Sequence, residues 1–410
     1  MKTATKQRGL AKPAFHVLML LDHPFPPDTR VENEIESLVG AGFEVTLLSI
    51  APDTRLERDT HLGASIVRYR VPKKMRNTMR GLAGTVPLLS WFIAWRVGRL
   101  AKNISFSAVH AHDLYMCGGA LRAARQLGLP VVGDLHESWV DALRQYAWST
   151  RLPGRLFVSL RRWRKLERRW TRHCSRIIAI TAEGKNRYVN GGCAPKKVAI
   201  LPNTVNTRVF DQYAEDNSVM ESIRSPFTVL YTGGIDLHRG LSFVMQALPA
   251  VLSHGPIRFV IVGEGSIRPD LEAEAKALGV AEYVQFTGWQ KQSLIKSFVL
   301  GSDVCLVPHL KSGHTDTTLP HKLFHYMYLS RPVVVTNCVP VARIVQEAEC
   351  GMVVDSGDSA SMAEALMELR RDAQMRRRMG ANGRRAVLAK YNWSYSAQAL
   401  IELYAGLATK

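Results

Sequence analysis

Phe227-Thr-Val-Leu-Tyr-Thr-Gly-Gly-Ile-Asp-Leu-His-Arg-Gly240 runs from a short apolar, β-rich segment into a glycine turn and on into a helical pattern. An apolar run bounded by glycine and followed by helical spacing marks one parallel strand with its crossover helix. The same alternation recurs downstream, where Arg258–Gly263, Val284–Gly288, Val304–Pro308, Pro332–Asn337 and Gly351–Asp355 read as strands. Upstream it predicts strands at Phe15–Leu21, Phe43–Ile50, Ser65–Val71, Ala108–His112, Pro130–Leu135 and Arg176–Thr181, closed by Val198–Pro202. The expected fold is α/β: two Rossmann-like, doubly wound parallel-sheet domains at residues 1–205 and 227–390. A polar linker at 206–226 joins them, and residues 391–410 form a C-terminal helix. A length of 410 residues suits two such domains.

The formal net charge is +19 and uneven. Residues 1–200 hold 33 basic against 15 acidic side chains, whereas residues 201–410 hold 21 against 20. A basic half attracts phosphate-rich surfaces such as anionic lipid, nucleic acid or a phosphorylated substrate. The six cysteines lie far apart with no C-x-x-C pair, which suggests neither a disulfide framework nor a zinc site and suits a reducing cytosol. The apolar run Phe15–Leu21 is too short for a signal peptide, and Gly81–Trp95 falls short of the ~18 residues of a spanning helix.

In doubly wound sheets, ligands sit beyond the carboxyl ends of the strands, so those loops hold the candidate chemistry. The first loop, Asp22-His-Pro-Phe-Pro-Pro-Asp-Thr-Arg30, lacks the G-x-G-x-x-G of a dinucleotide turn and speaks against a nicotinamide enzyme. Thr29 and Glu32 fit a capping box that starts a helix at Arg30, and a helix N-terminus there, with Asp28 beside it, is also an anion site. His110-Ala-His112-Asp113 and Asp134-Leu-His136-Glu137 follow the fourth and fifth strands, and His136 is favoured over His112 for substrate contact. Metal ligation by these groups is a weak alternative, and no metal is expected.

In the second half Gly233, Gly234, Gly263, Gly265 and Gly288 place three glycine-bearing loops at one sheet edge, where a ligand can approach the backbone, and Arg239 adds a cation suited to phosphate. The densest signal is Gly313-His-Thr-Asp-Thr-Thr-Leu-Pro-His-Lys-Leu-Phe-His-Tyr-Met327, with Asp316, Thr317 and Thr318 before the helix-starting Pro320. Lys322 sits in the first helical turn, where the dipole favours an anion instead. The misplacement points to a bound anion, most simply a diphosphate held by Lys322, Arg239 and backbone N–H groups.

Pro27-Asp-Thr-Arg30, Asp134-Leu-His-Glu137, Leu201-Pro-Asn203, Tyr231-Thr-Gly-Gly234, Arg239-Gly240, Gly263-Glu-Gly265, Phe286-Thr-Gly288 and Pro320-His-Lys-Leu-Phe-His-Tyr-Met327 together resemble the retaining glycosyltransferases of family 4 over nearly the whole chain. The resemblance implies the GT-B fold, two facing Rossmann-like domains with an interdomain cleft. By it the C-terminal domain binds a sugar nucleotide, the N-terminal domain binds the acceptor, and the final helix crosses back to the first domain. It gives His136 a contact with the donor sugar, Arg239 the place of a diphosphate-binding lysine, and Lys322 a place beside the donor phosphate. The donor surface would comprise Gly233, Gly234, Arg239, Gly263, Gly265, Gly288, Asp316, Thr317, Thr318, Lys322 and His325, and the acceptor side Asp28, Arg30, His112 and Glu137. The family's paired glutamates fall on Thr317 and His325, and an arginine of its phosphate site falls on Gly234, which marks a divergent member. No D-x-D pair occurs, so a metal-independent reaction without a cofactor is expected.

Two segments account for much of the basic charge. Arg155–Arg172 spaces Leu156, Leu160, Trp163, Leu166 and Trp170 helically, with Arg161, Arg162, Arg164, Lys165, Arg168 and Arg169 on the other faces. Lys73, Lys74, Arg76 and Arg80 lead into Leu88–Ala101, where Trp91, Phe92 and Trp95 share helical spacing. Basic amphipathic helices suit an interfacial position on anionic lipid. The expected protein is cytoplasmic and peripheral on the inner face of a membrane, and no nucleic-acid motif is present. It is expected to move sugar from a UDP- or GDP-linked donor to a glycan or lipid-linked acceptor in surface polysaccharide or lipopolysaccharide assembly. The alternatives are a sugar-nucleotide 2-epimerase of the same architecture and a catalytically degenerate sugar-nucleotide-binding partner.

Overall fold

The computed structural model describes residues 15–51, 57–144 and 158–409. The first sheet contains β1 (His16–Leu21), β2 (Glu44–Ala51), β3 (Arg58–His61), β4 (Ala64–Arg70), β5 (Ala108–His112), β6 (Val131–Leu135), β7 (Arg176–Ala179) and β8 (Val198–Ile200), in the order β3-β4-β2-β1-β5-β6-β7-β8. The second contains β9 (Thr228–Thr232), β10 (Arg258–Val262), β11 (Val284–Gly288), β12 (Val304–Val307), β13 (Val333–Thr336) and β14 (Gly351–Val354), in the order β11-β10-β9-β12-β13-β14. Every strand expected from the sequence forms, and the adjacent pairs of the second sheet are parallel. The edge strand β3 was not expected: Arg-Asp-Thr-His carries no apolar alternation and holds its place by pairing antiparallel with β4.

Packing explains why these segments are strands. In the second sheet Val229 and Tyr231 of β9, Val304 and Leu306 of β12 and Val334 of β13 face one core. Leu230, Cys305, Val307, Val333 and Val335 face the other. Both faces are therefore buried, which is why these strands read as continuous apolar runs, and helices cover each side. All six cysteines are buried and none is in a disulfide, so they fill core volume as small side chains.

Two compact units can be distinguished, one of residues up to Asp134 with 173–176 and the chain from Leu400 on, the other of 135–172 and 177–399. Within the second, the last helix, Trp393–Ala408, starts from a backbone bond of Trp393 N–H to the Val205 carbonyl (2.8 Å) and a contact of Ser396 with Thr204 (2.9 Å). Within the first, Tyr404 Oη lies 2.7 Å from His110 Nδ1, and both side chains are fully buried. Among the described residues no helix is long and apolar enough to cross a membrane.

Each sheet has a switch point where the strand order reverses, between β1 and β5 in the first and between β9 and β12 in the second. There the crossover helices leave in opposite directions and open a crevice at the carboxyl ends. Replacing Tyr404 by Phe strips a buried histidine nitrogen of its partner, so urea unfolding of the variant should show a loss of about 1 to 3 kcal/mol.

Candidate functional site

At the β9/β12 switch point the two motifs singled out from the sequence meet. Lys322 lies in the first turn of the helix His321–Tyr328, and its Nζ sits 3.7 Å above the Tyr231 ring at the end of β9. The Tyr231 hydroxyl donates to the Gly234 carbonyl (2.7 Å), and Tyr326, one turn along the helix, lies 2.9 Å from the Thr232 N–H and hydroxyl. The helix is thus fixed to the strand it faces. Lys322 Nζ is buried and has no hydrogen-bond partner, and neither has Arg239 Nε. Burial, and then repulsion from Arg239, hold the Lys322 ammonium well below the ordinary lysine range.

Arg239 ends a short 3₁₀ turn after β9, and its Nη1 donates to His309 Nε2 (3.0 Å) on the loop after β12. That bond requires an imidazole with a free lone pair. Burial and the nearby Arg239 supply it by pushing His309 well below the ordinary histidine range, and His238 and His314 to about 4. The crevice is therefore lined by two cations and three neutral imidazoles. Among the described residues, neither cation has a carboxylate within salt-bridge distance. A buried positive site without an internal counter-ion is built for an anion.

The glycines do different jobs. A Cβ on Gly233 would lie 2.8 Å from Lys322 Nζ, and one on Gly263 would lie 2.0 Å from the Gly233 carbonyl oxygen, so both are required for the loops to close around the lysine. Gly265 likewise passes close to the Ile235 backbone, while Gly234 and Gly288 have side-chain carboxylates nearest. The other donor-side residues separate in role. Asp316 accepts from Lys311 Nζ (2.9 Å) and from the Val339 N–H (3.0 Å), so it anchors its own loop. The Thr317 hydroxyl donates to the Gly313 and His314 carbonyls (3.0 and 3.1 Å), and its carbonyl accepts from Thr181 (2.9 Å). Thr318 is half-buried beside it. His325 stacks on Phe210, centroids 4.7 Å apart and 19° from parallel, and burial lowers it to about 3.

His136 is buried just after β6, and its Nδ1 accepts from Asn203 Nδ2 (3.1 Å). This fixes the ring with its proton on Nε2. Glu137, next to it, is exposed. The sequence alone assigns no role to Asn203, His238, His309 or His314. Their signal was their place in loops after strands, shared with many inert residues.

The β1/β5 switch point holds a second cluster. His110, His112 and Asp134 lie inside β5 and β6, within the expected strand bounds and not in the loops beyond them, and are fully buried. His112 Nδ1 donates to Asp134 Oδ2 (3.1 Å), and burial followed by the neighbouring His110 lowers it to about 3. Glu34, Asp134 and His112 offer ligand atoms within 4.8 Å of one another. Arg30 already supplies a cation there, its charge strengthened against burial by Asp113, Asp28, Asp134 and Glu34, while burial and Asp134 raise the Glu34 carboxyl. The helix Thr29–Gly40 is capped by Asp28, which accepts from the Arg30 and Val31 N–H groups (3.1 and 3.2 Å). That corrects the expected Thr29 capping box: the cap lies one residue earlier, and Glu32 turns to His61 (3.2 Å).

Two family models match the chain, one described as Glycosyl transferases group 1 over residues 226–372 and one as Glycosyltransferase Family 4 over residues 28–209. The chain belongs to the family 4 glycosyltransferases, and its two parallel α/β sheets are those of the GT-B fold. It is similar to the alpha-D-kanosaminyltransferase of Streptomyces kanamyceticus, 25% identical with 90% of this chain and 97% of that protein covered. It is also similar to the phosphatidyl-myo-inositol mannosyltransferase of Mycobacterium leprae, 26% identical with 77% of each covered. Among solved structures, sucrose-phosphate synthase from Thermosynechococcus elongatus superposes with a TM-score of 0.76 at 16% identity, covering 96% and 99% of the two chains. HepE of Anabaena in complex with UDP superposes with a TM-score of 0.69 at 14% identity, covering 96% and 100%. These relatives are transferases, and the 2-epimerase alternative is not favoured.

His23 titrates in a usable range. Burial opposes its charge, but hydrogen bonds to Asp22 and Asp28 outweigh that and raise it to about 9. A raised histidine contributes stability that is complete below its unfolded value of about 6.5 and lost as pH rises through about 9. Urea midpoints across that window should fall with rising pH, and His23→Gln should flatten the slope.

Proposed function

We propose that the chain transfers a sugar from a UDP- or GDP-linked donor to a glycan or lipid-linked acceptor, with retention and without a metal. The setting is surface polysaccharide or lipopolysaccharide assembly at the inner face of a membrane. The observation that carries this reading is the buried Lys322 ammonium on Tyr231 beside the unpartnered Arg239 Nε, at the switch point of the second sheet. A donor diphosphate supplies the missing negative charge, and the two cations stabilise it further as charge develops on the leaving group.

His136, with its Nε2 proton fixed by Asn203, is the donor-sugar contact. Its Nε2 N–H can donate to a sugar oxygen. Among the described residues the carboxylates nearest the glycine loops, Asp236 and Glu264, are engaged by Ser266 and Arg268, so in this reading the leaving phosphate oxygen takes the acceptor's proton, and the protein contributes positioning and charge. Relatives named for transfer to phosphatidyl-myo-inositol and for kanosaminyl transfer support a transferase acting on polyol or glycan hydroxyls. The UDP in HepE supports UDP as the first donor to try. Arg30 in the acidic cluster of the first sheet supports the absence of a metal there.

A thermal-shift series with UDP, GDP and their sugars tests the site. A ligand at ~100 times its dissociation constant stabilises the native state by about 2.7 kcal/mol. Arg239→Ala and Lys322→Ala should each weaken donor binding by about 1.5 to 3 kcal/mol, and unchanged affinity in both overturns the phosphate site. Binding without release of nucleoside diphosphate, whatever glycan or lipid acceptor is offered, would favour the degenerate-partner alternative.

A further inference from the structure

The basic segments were expected to act together, but the structure divides them. On the helix Leu160–His173, Arg161, Arg162, Lys165, Arg168 and Arg169 are exposed while Trp163 is buried, so this is a cationic face without an exposed apolar ridge. Arg155 and Leu156 lie outside the described residues. The helix Leu88–Leu100 differs. It buries Leu89, Ile93, Val97 and Leu100 and turns Leu88, Trp91 and Trp95 outward, with Trp91 and Trp95 about half exposed at 48% and 51%. Five of the thirteen exposed large apolar side chains among the described residues lie between Met75 and Trp95: Leu88, Trp91 and Trp95 on this helix, Val86 in the turn before it and Met75 on the preceding helix Lys73–Leu82.

Cations are built into that ridge. The Arg96 guanidinium lies 4.0 Å from the Tyr69 ring centroid and 4.4 Å from that of Trp95, and its buried Nε has no hydrogen-bond partner. Arg99 lies 5.5 Å over Trp95, and Arg122 lies 5.9 Å over Trp91. Two grooves flank Trp95, of about 760 and 570 Å³. The first is lined by Arg58, Tyr69, Arg96 and Lys102 and the second by Trp91 and Arg122, with Arg99 and Lys102 shared, and among the described residues neither lining contains a carboxylate. Indole rings favour the boundary between headgroups and acyl chains, and guanidinium groups behind them match lipid phosphates.

We propose that this face, and not the helix Leu160–His173, seats the protein on an anionic phospholipid leaflet. Trp91, Trp95 and Leu88 enter the interfacial layer, and lipid phosphates occupy the two grooves. The proposal deepens the membrane-side reading above and rests on it. Free nucleic acid would use the same charge, but it offers no apolar phase for an outward Leu88 and two tryptophans, so a bilayer fits the face better.

The test is cosedimentation with vesicles of phosphatidylcholine containing about a third phosphatidylglycerol, against phosphatidylcholine alone, with tryptophan emission recorded in parallel. The wild-type chain should pellet with the anionic vesicles at low salt and show blue-shifted emission. Trp91→Ser with Trp95→Ser, and separately Arg99→Glu with Arg122→Glu, should each lower the partition coefficient about tenfold or more. Arg161→Glu with Arg162→Glu should change it little. The proposal is overturned if the wild type stays in the supernatant, if the Arg161 and Arg162 variant loses binding while the others keep it, or if glycerophosphate at millimolar concentration releases the protein, since the site would then take a soluble phosphate. Tighter binding to a single-stranded oligonucleotide that displaces the vesicles also overturns it. A UDP-induced thermal shift retained in the variants shows that they fold. If the wild type shows no shift with UDP, GDP or their sugars, the transferase reading fails while the vesicle result still decides this one.

Discussion

A lysine ammonium held out of water with only an aromatic face for company is the constraint on which the second half of this molecule turns. A cation on a desolvated aromatic ring gains about 2 kcal/mol, well short of the several kcal/mol that removing an ion from water costs. Lys322 is kept there by the rest of the structure: Tyr326 ties its helix to β9, Tyr231 bonds the following glycine turn, and Gly233 and Gly263 leave room for the ammonium. The same elements hold Arg239 against a neutral His309. The cost of an unmatched charge is offset by packing of the two apolar faces of the sheet.

The first sheet solves the opposite problem. Its switch point gathers carboxylates and imidazoles around Arg30, so the excess is of acid and not of base. His110, inside β5, faces Asp134 at 3.3 Å and Glu34 at 3.6 Å while Tyr404 of the last helix lies against its other nitrogen. A charged network of this kind has value only when complete, because each member left alone would pay its full desolvation cost. The chain terminus thereby becomes a structural member of the first unit.

Much of this was legible in the sequence for a simple reason. Strands buried on both faces are continuous apolar runs and announce themselves, as Val304–Val307 and Val333–Thr336 do. Strand β3 was not legible, because a polar edge strand is specified by its neighbour's unpaired backbone and not by its own side chains. The cap fell on Asp28 instead of Thr29 because both residue types cap helices and only the backbone turn selects between them. His309 and Asn203 gain meaning only through partners 70 and 67 residues away, a separation that no local pattern encodes. Trp91 and Trp163 sit in similar basic amphipathic patterns, yet one is exposed and the other is core, since which stripe faces the sheet depends on what else is there to cover it.

The depressed basicity of Lys322 has a thermodynamic consequence. An anion seated on the ammonium favours its charged form and raises its proton affinity, so wherever the free site has released that proton, ligand arrival must draw one from solvent and ligand departure must return it. Occupancy of the crevice is then coupled to proton activity with a fixed sign, tighter as the medium becomes more acidic and looser as it becomes more alkaline.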